Sequence, residues 1–270
     1  MILITGANGF IGSHLVQDLK SSQTLLAIDK DQVDLENFEQ LANFLSLHAN
    51  NITCVIHLAA QPGVRESRKD PVGCAKSNVI GSVNLLTICR DLMPQLRHVI
   101  LASSSCAANP VCPYGASKRS MEMFAKTILP SVRVTALRFF TVYGGDLSRR
   151  SEMVVPQFVA NARQDKPLVV FGDPSREFTH ISDIVSGIHN VLMTGVDDEQ
   201  PKYRQYDLSS GELTRVADLA AQILQLVPTS KSIVQMMAPR DLQQGTRAAN
   251  LLPGWTPKIS LSEGLKFALS

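Results

Sequence analysis

The hydrophobic positions along the chain alternate between short, wholly apolar runs and longer amphipathic stretches. A wholly apolar run is typical of a parallel strand buried on both faces, whereas apolar residues three and four apart predict a helix. The predicted strands are 2–4, 25–28, 52–58, 98–102, 132–140, 168–171 and 206–208, and the predicted helices are 13–19, 36–47, 76–92, 114–128, 154–163, 184–192 and 216–226. The tail beyond Pro228 shows no regular pattern. This alternation predicts an α/β fold with a doubly wound parallel sheet.

Three glycines lie between the first predicted strand and the first predicted helix, in the run Gly6-Ala-Asn-Gly9-Phe-Ile-Gly12. Gly6 permits a tight turn, and Gly9 lets the main chain approach a diphosphate at the helix N-terminus. Gly12 lets the helix pack closely against the strand. The glycines therefore predict a Rossmann-type dinucleotide site at the start of the chain.

Asp29 ends the second predicted strand, 17 residues after Gly12. A carboxylate at this position accepts hydrogen bonds from an adenosine ribose and repels a 2′-phosphate, which favours NAD over NADP. Lys30 follows it directly, and a cation there could tolerate the additional phosphate.

A turn signal at 141–145 predicts the first exit of the chain from the nucleotide domain. We expect residues 1–141 to form the NAD-binding Rossmann domain, with residues 178–209 returning to it. Residues 142–177 and 210–270 are then expected to form a smaller C-terminal substrate-binding lobe.

Tyr114 and Lys118 are four residues apart on a predicted helix, so their side chains share one face. A phenol has a pKa near 10 in water, and a neighbouring ammonium favours its ionised form. The pair therefore predicts a proton acceptor for a hydroxyl group. Ser103, Ser104 and Ser105 follow a parallel strand, at the edge of the sheet where α/β folds bind ligands.

The composition is that of an ordinary globular enzyme: 270 residues, 44% apolar and 19% charged, with a net charge of +2. This balance does not suggest a nucleic-acid partner. No uninterrupted apolar run approaches about 18 residues, and residues 1–12 contain no basic segment, so neither a signal peptide nor a membrane partner is expected. The five cysteines have no metal-ligand spacing and predict reduced, cytoplasmic thiols and no metal site. His57, inside a predicted strand, is interpreted as a hydrogen-bonded core histidine.

Several motifs in this order resemble the extended short-chain dehydrogenase/reductase family, specifically its nucleotide-sugar epimerases and dehydratases. They span most of the chain and are 5–13, 55–60, 77–79, 102–105, Tyr114 with Lys118, 137–144, 176–178 and 183–184. The run 138–144 most resembles the UDP-glucuronate 4-epimerase branch.

The resemblance implies a role for each matching residue. Tyr114 is expected to be the catalytic base, Lys118 to lower its pKa and bind the nicotinamide ribose, and Ser105 to bind the reacting hydroxyl. The expected NAD-binding residues are Gly6, Gly9, Phe10, Ile11, Gly12, Asp29, Lys30, Asp34, Leu35, Leu58, Ala59, Ala60, Asn78, Ser103, Tyr114, Lys118 and Phe140. The expected substrate-binding residues are Gln61, Ser105, Thr141, Val154, Arg176 and Arg240.

The mechanism implied by the family is 4-epimerisation of a nucleotide sugar, most simply a UDP-sugar. Tyr114 takes the 4-hydroxyl proton while the C4 hydride passes to NAD, and the hydride returns to the other face of the 4-keto sugar. The resemblance also implies a homodimer formed by the helices at 76–92 and 114–128.

The segment between Ser105 and Tyr114 is shorter than in the family, as are 29–34 and 241–255. Cys106 stands where dehydratases and decarboxylases have acidic residues, which argues against both reactions. An NADPH-linked nucleotide-sugar 4-ketoreductase and a dinucleotide-binding regulatory protein of the same fold stay open as alternatives.

Overall fold

The structure, a computed structural model, describes residues 1–146, 151–194, 202–239 and 247–269. In chain order the strands are β1 Ile2–Thr5, β2 Leu25–Ile28, β3 Cys54–His57, β4 His98–Ser104, β5 Arg133–Phe139, β6 Thr141–Tyr143, β7 Leu168–Phe171, β8 Ser175–His180, β9 Tyr203–Leu208, β10 Leu213–Arg215 and β11 Val234–Met237. The helices are α1 Phe10–Leu19, α2 Phe38–Ser46, α3 Val64–Lys69, α4 Pro71–Ala75, α5 Gly81–Leu92, α6 Pro113–Ile128, α7 Val154–Arg163, α8 Ile181–Met193, α9 Val216–Leu226 and α10 Leu261–Leu269.

The chain forms two compact units. The first consists of Met1–Phe139 and Ile188–Asp207, and the second of Phe140–Gly187 and Leu208–Ser270. Within the described ranges, the sheet of the first unit has the strand order β2-β1-β3-β4-β5-β9. Neighbouring strands from β2 to β5 run parallel, which confirms the predicted α/β class.

The apolar runs are buried because helices cover both faces of the sheet. The fully buried strand residues of this unit include Leu3, Val55, Val99 and Leu101. They belong to one hydrophobic core together with side chains of the covering helices, among them Leu41, Leu45, Leu85, Leu86 and Met121.

The helix predicted at 76–92 begins earlier, at Pro71, and contains a π-helical turn, Lys76–Ile80. Asp70 caps its start by accepting a hydrogen bond of 2.8 Å from the Gly73 amide. The run Pro71–Leu92 is long and apolar enough to cross a membrane by length and composition alone. A core helix meets the same criterion, and Leu85 and Leu86 of this run are fully buried in the first unit.

The second unit contains a three-stranded sheet, β10-β8-β6, and the pair β11-β7. The prediction of a turn at 141–145 is wrong for its first half, because Thr141–Tyr143 pairs in parallel with β8. The turn itself lies at Gly144 and Gly145, whose φ angles are 99° and 63°, values that glycine adopts without steric cost.

The domain boundaries also differ from the prediction. The second segment of the first unit begins at Ile188 rather than at residue 178, and it ends at Asp207. The physical reason is strand pairing: Ser175–His180 hydrogen-bonds to β6 and β10 of the second unit. Phe140 and Thr141 likewise belong to the second unit.

The tail beyond Pro228 is more regular than predicted, since it contains β11 and α10. Between them, carboxylates of β8 and α8 hold the chain by its main-chain amides. Glu177 accepts from the Ala248 amide at 3.0 Å, and Asp183 accepts from the amides of Lys258 and Ile259 at 2.9 and 3.0 Å. We call residues 248–259 the C-terminal strap.

Candidate active site

The glycine loop between β1 and α1 has the compact shape that the sequence predicts. Gly6 has a φ of 71°, and a Cβ on Gly12 would lie 2.1 Å from the Gly6 carbonyl oxygen. Gly9 directly precedes α1, which begins at Phe10, three residues before the predicted start. No side chain caps this end of the helix. The first amides of a helix attract anions, so the loop fits a diphosphate.

Asp29 follows β2 and contacts this loop. Its Oδ2 accepts a hydrogen bond of 2.8 Å from the Asn8 amide, and its Oδ1 accepts one of 2.8 Å from the Lys30 amide. The Lys30 ammonium lies 3.6 Å from Asp34 and 3.8 Å from Glu36. These two carboxylates offset the Lys30 charge, which favours NAD at a site where Lys30 could otherwise attract a 2′-phosphate.

Leu35 follows Asp34, and its carbonyl accepts a hydrogen bond of 2.9 Å from the Asn84 amide group of α5. The Asp34 carboxylate accepts from the Glu36 amide at 3.0 Å. Both residues are therefore held in a defined loop directly after β2.

Asn78 fixes the segment that follows β3. Its side chain accepts from the Gln61 amide at 2.7 Å and donates to the Gln61 carbonyl at 3.0 Å. It also donates to Ser117 Oγ on α6 at 3.0 Å. Asn78 lies in the π-helical turn and is 1% exposed, so it connects the loop of Leu58, Ala59, Ala60 and Gln61 to the helix that carries Tyr114.

Tyr114 lies in the first turn of α6, half-buried. Pro113 is at the start of the helix, and Cys112 Sγ accepts a hydrogen bond of 3.3 Å from the Gly115 amide. The Tyr114 amide donates to Ser67 Oγ of α3 at 3.1 Å. These contacts fix the first turn of the helix and hence the position of the phenol.

Lys118 follows one turn later on the same face and is 3% exposed. Its ammonium donates a hydrogen bond of 2.7 Å to the Ala102 carbonyl near the end of β4. Burial lowers the pKa of Lys118 to about 8, while Cys74 and Glu122 act in the opposite direction. The ammonium is therefore still charged at neutral pH, although only by a small margin.

The three serines after β4 have different environments. Ser105 is half-buried at the start of a 3₁₀ turn, Ser105–Ala107. Ser103 is 2% exposed and its hydroxyl donates to Glu122 at 2.6 Å. The Ser103 side chain is thus hydrogen-bonded inside the protein, whereas Ser105 stays a candidate for substrate contact.

The other predicted residues belong to the second unit. Thr141 lies opposite Phe178 on the paired strands β6 and β8, and Val154 is the first residue of α7. Arg176 is half-buried and donates to the Ser175 carbonyl at 2.9 Å. Phe140 directly follows β5, and Arg240 lies outside the described residues.

Two groups of functional interest were missing from the sequence prediction. The first is the buried ion pair between Glu122 and Arg138, with a distance of 2.7 Å. The second is the set of hydrogen bonds around His57, which contacts Thr5 through one ring nitrogen and Ser82 through the other. The helical spacing of Tyr114, Lys118 and Glu122 could have revealed the first group. The second depends on contacts between distant segments, although the interpretation of His57 as a hydrogen-bonded core residue is confirmed.

Comparison with known proteins identifies the relatives of this chain. The family model for the NAD dependent epimerase/dehydratase family matches residues 2–207. A UDP-glucuronate 4-epimerase from Thermodesulfobacterium geofontis is 28% identical over 320 residues, covering 98% of this chain and 93% of that protein.

Solved structures show the same similarity over nearly the whole chain. A UDP-glucose 4-epimerase from Thermotoga maritima with UDP-glucose has a TM-score of 0.87 at 26% identity, covering 99% of this chain and 97% of that one. A UDP-glucuronic acid 4-epimerase from Bacillus cereus, in complex with a UDP-4-deoxy-4-fluoro-glucuronic acid and NAD, has a TM-score of 0.84 at 25% identity, with the same coverage. The chain therefore belongs to the NAD dependent epimerase/dehydratase family, with NAD as its cofactor.

Proposed function

We propose that this protein is an NAD-dependent epimerase that inverts C4 of a UDP-hexose or a UDP-hexuronic acid. The observation that carries the proposal is the joint position of Tyr114 and Lys118. Both lie on one face of α6, and the Lys118 ammonium is hydrogen-bonded at the end of β4. The names of the relatives, UDP-glucuronate and UDP-glucose 4-epimerases, support the same substrate class.

The glycine loop of the first unit fits NAD because Gly12 packs so closely against Gly6 that a Cβ there would lie 2.1 Å from the Gly6 carbonyl oxygen. This gives the loop the compact form that a diphosphate at a helix N-terminus requires. In this proposal Gly6, Gly9 and the start of α1 bind the diphosphate, and Asp29 binds the adenosine ribose. When bound, NAD supplies the reversible hydride acceptor for C4.

Tyr114 then removes the proton of the 4-hydroxyl, and Ser105 orients that hydroxyl. The Lys118 ammonium favours the phenolate by charge and binds the nicotinamide ribose. The same groups act in reverse after the sugar has turned: Tyr114 returns the proton to the C4 oxygen, and the hydride would return to the opposite face of C4. No net oxidation results from the cycle.

Residues of the second unit are assigned to the substrate by the same proposal. Arg176 is permanently charged and presents a planar fork that suits a phosphate, and Thr141 lies close to it in the paired strands β6 and β8. Val154 and Arg240 are also assigned to the substrate, as is Gln61, which belongs to the first unit.

We further propose a cytoplasmic homodimer. Met123 and Phe124 are 50% and 41% exposed on α6, which packs against α5. Large apolar side chains that are exposed on adjacent helices are typical of a subunit interface. All five cysteines are thiols, as expected in a reducing compartment.

Incubating the purified protein with UDP-glucose or UDP-glucuronic acid and NAD tests the activity, with the C4 epimer detected by NMR. Tyr114→Phe is expected to lower turnover by about 10²–10⁴-fold, whereas Tyr206→Phe on β9 serves as the matched control. NADPH consumption with a 4-keto sugar and no epimerisation would instead indicate a ketoreductase. Binding of NAD without turnover of any nucleotide sugar would indicate a regulatory protein.

A further inference from the structure

Glu122 is a buried carboxylate one helical turn after Lys118. It is 1% exposed and accepts four hydrogen bonds. Its Oε1 accepts from Ser103 Oγ at 2.6 Å and from Arg138 Nε at 2.8 Å. Its Oε2 accepts from Arg138 Nη2 at 2.7 Å and from Arg119 Nη1 at 3.1 Å. The carboxylate is the acceptor in every one of these contacts, and three of the four donors are guanidinium nitrogens.

The same contacts hold a second buried cation, Arg138, beside the strand segment that Lys118 binds. Arg138 on β5 lies directly opposite Ser103 on β4, and the Lys118 ammonium binds the carbonyl of Ala102, the preceding residue. The side chain of Arg138 is 8% exposed. Two cations in one poorly solvated region destabilise each other unless a carboxylate lies between them.

Among the described residues around Lys118, Cys74 also raises its pKa, but only Glu122 both raises the pKa of Lys118 and forms an ion pair with Arg138. His57 on β3 is neutral, because burial and the Lys118 charge lower its pKa to about 3. Cys74 lies on α4 and Tyr114 on α6. Asp207 also attracts the guanidinium of Arg138, whereas Glu122 acts on both Arg138 and Lys118.

We propose that Glu122 is a positioning residue that keeps the Lys118 side chain charged at neutral pH, by offsetting the buried guanidinium of Arg138. Glu122 touches neither cofactor nor substrate in this assignment. It acts through Lys118 and thereby on the proton affinity of Tyr114. The consequence for turnover rests on the proposed function, whereas the consequence for Lys118 does not.

The experiment follows the titration of Lys118 directly, by NMR of the protein carrying ¹³C,¹⁵N-labelled lysine, with Lys118→Met identifying the signal. Glu122→Gln leaves Arg138 without its main counter-charge and is expected to weaken proton binding by Lys118 about tenfold or more. Arg138→Met removes the guanidinium but keeps the Glu122 carboxylate, and is expected to strengthen proton binding by Lys118. A purely structural role would not produce shifts of opposite sign.

Two further variants complete the design. In Glu122→Gln combined with Arg138→Met, the Lys118 titration is expected to return towards that of the wild type, and Glu263→Gln, an exposed site in α10, is expected to leave it unchanged. Should Glu122→Gln not fold, Arg138→Met and the double variant still decide the matter. A Lys118 titration that is the same in wild type and folded variants would overturn the inference.

The alkaline limb of turnover is expected to move with Lys118, to lower pH in Glu122→Gln and to higher pH in Arg138→Met. Opposite NMR shifts without turnover of any nucleotide sugar would leave the inference standing and remove the proposed function. Epimerisation together with a Lys118 titration that is the same in all variants would support the proposed function and overturn the inference about Glu122.

Discussion

Thr5 and His57, on the neighbouring strands β1 and β3, share a buried hydrogen bond of 2.7 Å between Thr5 Oγ1 and His57 Nδ1. On its other side, His57 Nε2 lies 2.9 Å from Ser82 Oγ, which donates to the Asn78 carbonyl at 2.6 Å. Since Ser82 uses its proton on Asn78, it accepts from His57 Nε2, and Nδ1 accepts from Thr5. The network thus assigns a neutral imidazole between the glycine loop and the π-helical turn.

This network predicts an acid-sensitive fold. The pKa of His57 is lowered from 6.5 to about 3 by burial and by the Lys118 charge. Between these two values the unfolded chain binds a proton that the native protein does not, so the free energy of unfolding falls as the pH falls below about 6.5. Burial lowers the pKa of His98 to about 3 as well, so both histidines contribute in the same direction.

His57→Gln should remove one of these contributions. Urea unfolding at pH 7.5 and at pH 5 measures it, and the loss of stability between the two is expected to be smaller in the variant by about 2 kcal/mol. An equal loss in both proteins would show that His57 titrates alike in the folded and unfolded states.

Gly12→Ala is expected to disrupt the cofactor loop. Its Cβ would lie 2.1 Å from the Gly6 carbonyl oxygen, and main-chain atoms must move to relieve this contact. We expect stability to fall by more than about 2 kcal/mol and NAD affinity to fall strongly in calorimetry. Gly211→Ala is the control: it has open space but a φ of 75°, so it should cost about 1–2 kcal/mol without affecting NAD binding.

Asp29→Ala is expected to change cofactor preference. Without the carboxylate, the ribose loses an acceptor and a 2′-phosphate is no longer repelled, so the ratio of Kd values for NADP and NAD should fall by about tenfold or more. Binding titrations with both cofactors measure it, with Asp31→Ala as the control. An unchanged ratio would mean that another residue selects NAD.

Phe124→Glu is expected to convert the proposed dimer into a monomer. The substitution would put a carboxylate into the proposed apolar interface, where burying its charge is costly. Sedimentation velocity measures the result, and Leu47→Glu, at a residue 77% exposed at the end of α2, should leave the assembly unchanged. A wild-type protein that sediments as a monomer would contradict the proposed interface.

The sequence was sufficient where function depends on local spacing. Glycine positions predicted the loop before α1, and a separation of four residues predicted the shared face of Tyr114 and Lys118. The sequence was insufficient where strands pair with distant segments. Thr141–Tyr143 was predicted as a turn because the strand that pairs with it lies far along the chain: Thr141 pairs with Phe178, 37 residues later. The hydrogen bond of Ser103 was missed for the same reason, since its partner Glu122 comes from a later element.

The C-terminal strap explains why the sequence beyond Pro228 shows no regular hydrophobic pattern. Glu177 and Asp183 hold it through the amides of Ala248, Lys258 and Ile259, and every amino acid except proline supplies such an amide. Substitutions at these three positions should therefore keep these hydrogen bonds and have little effect on stability, whether they arise in evolution or by design. Proline is the exception, and a saturation library of the strap should be depleted of it at these sites.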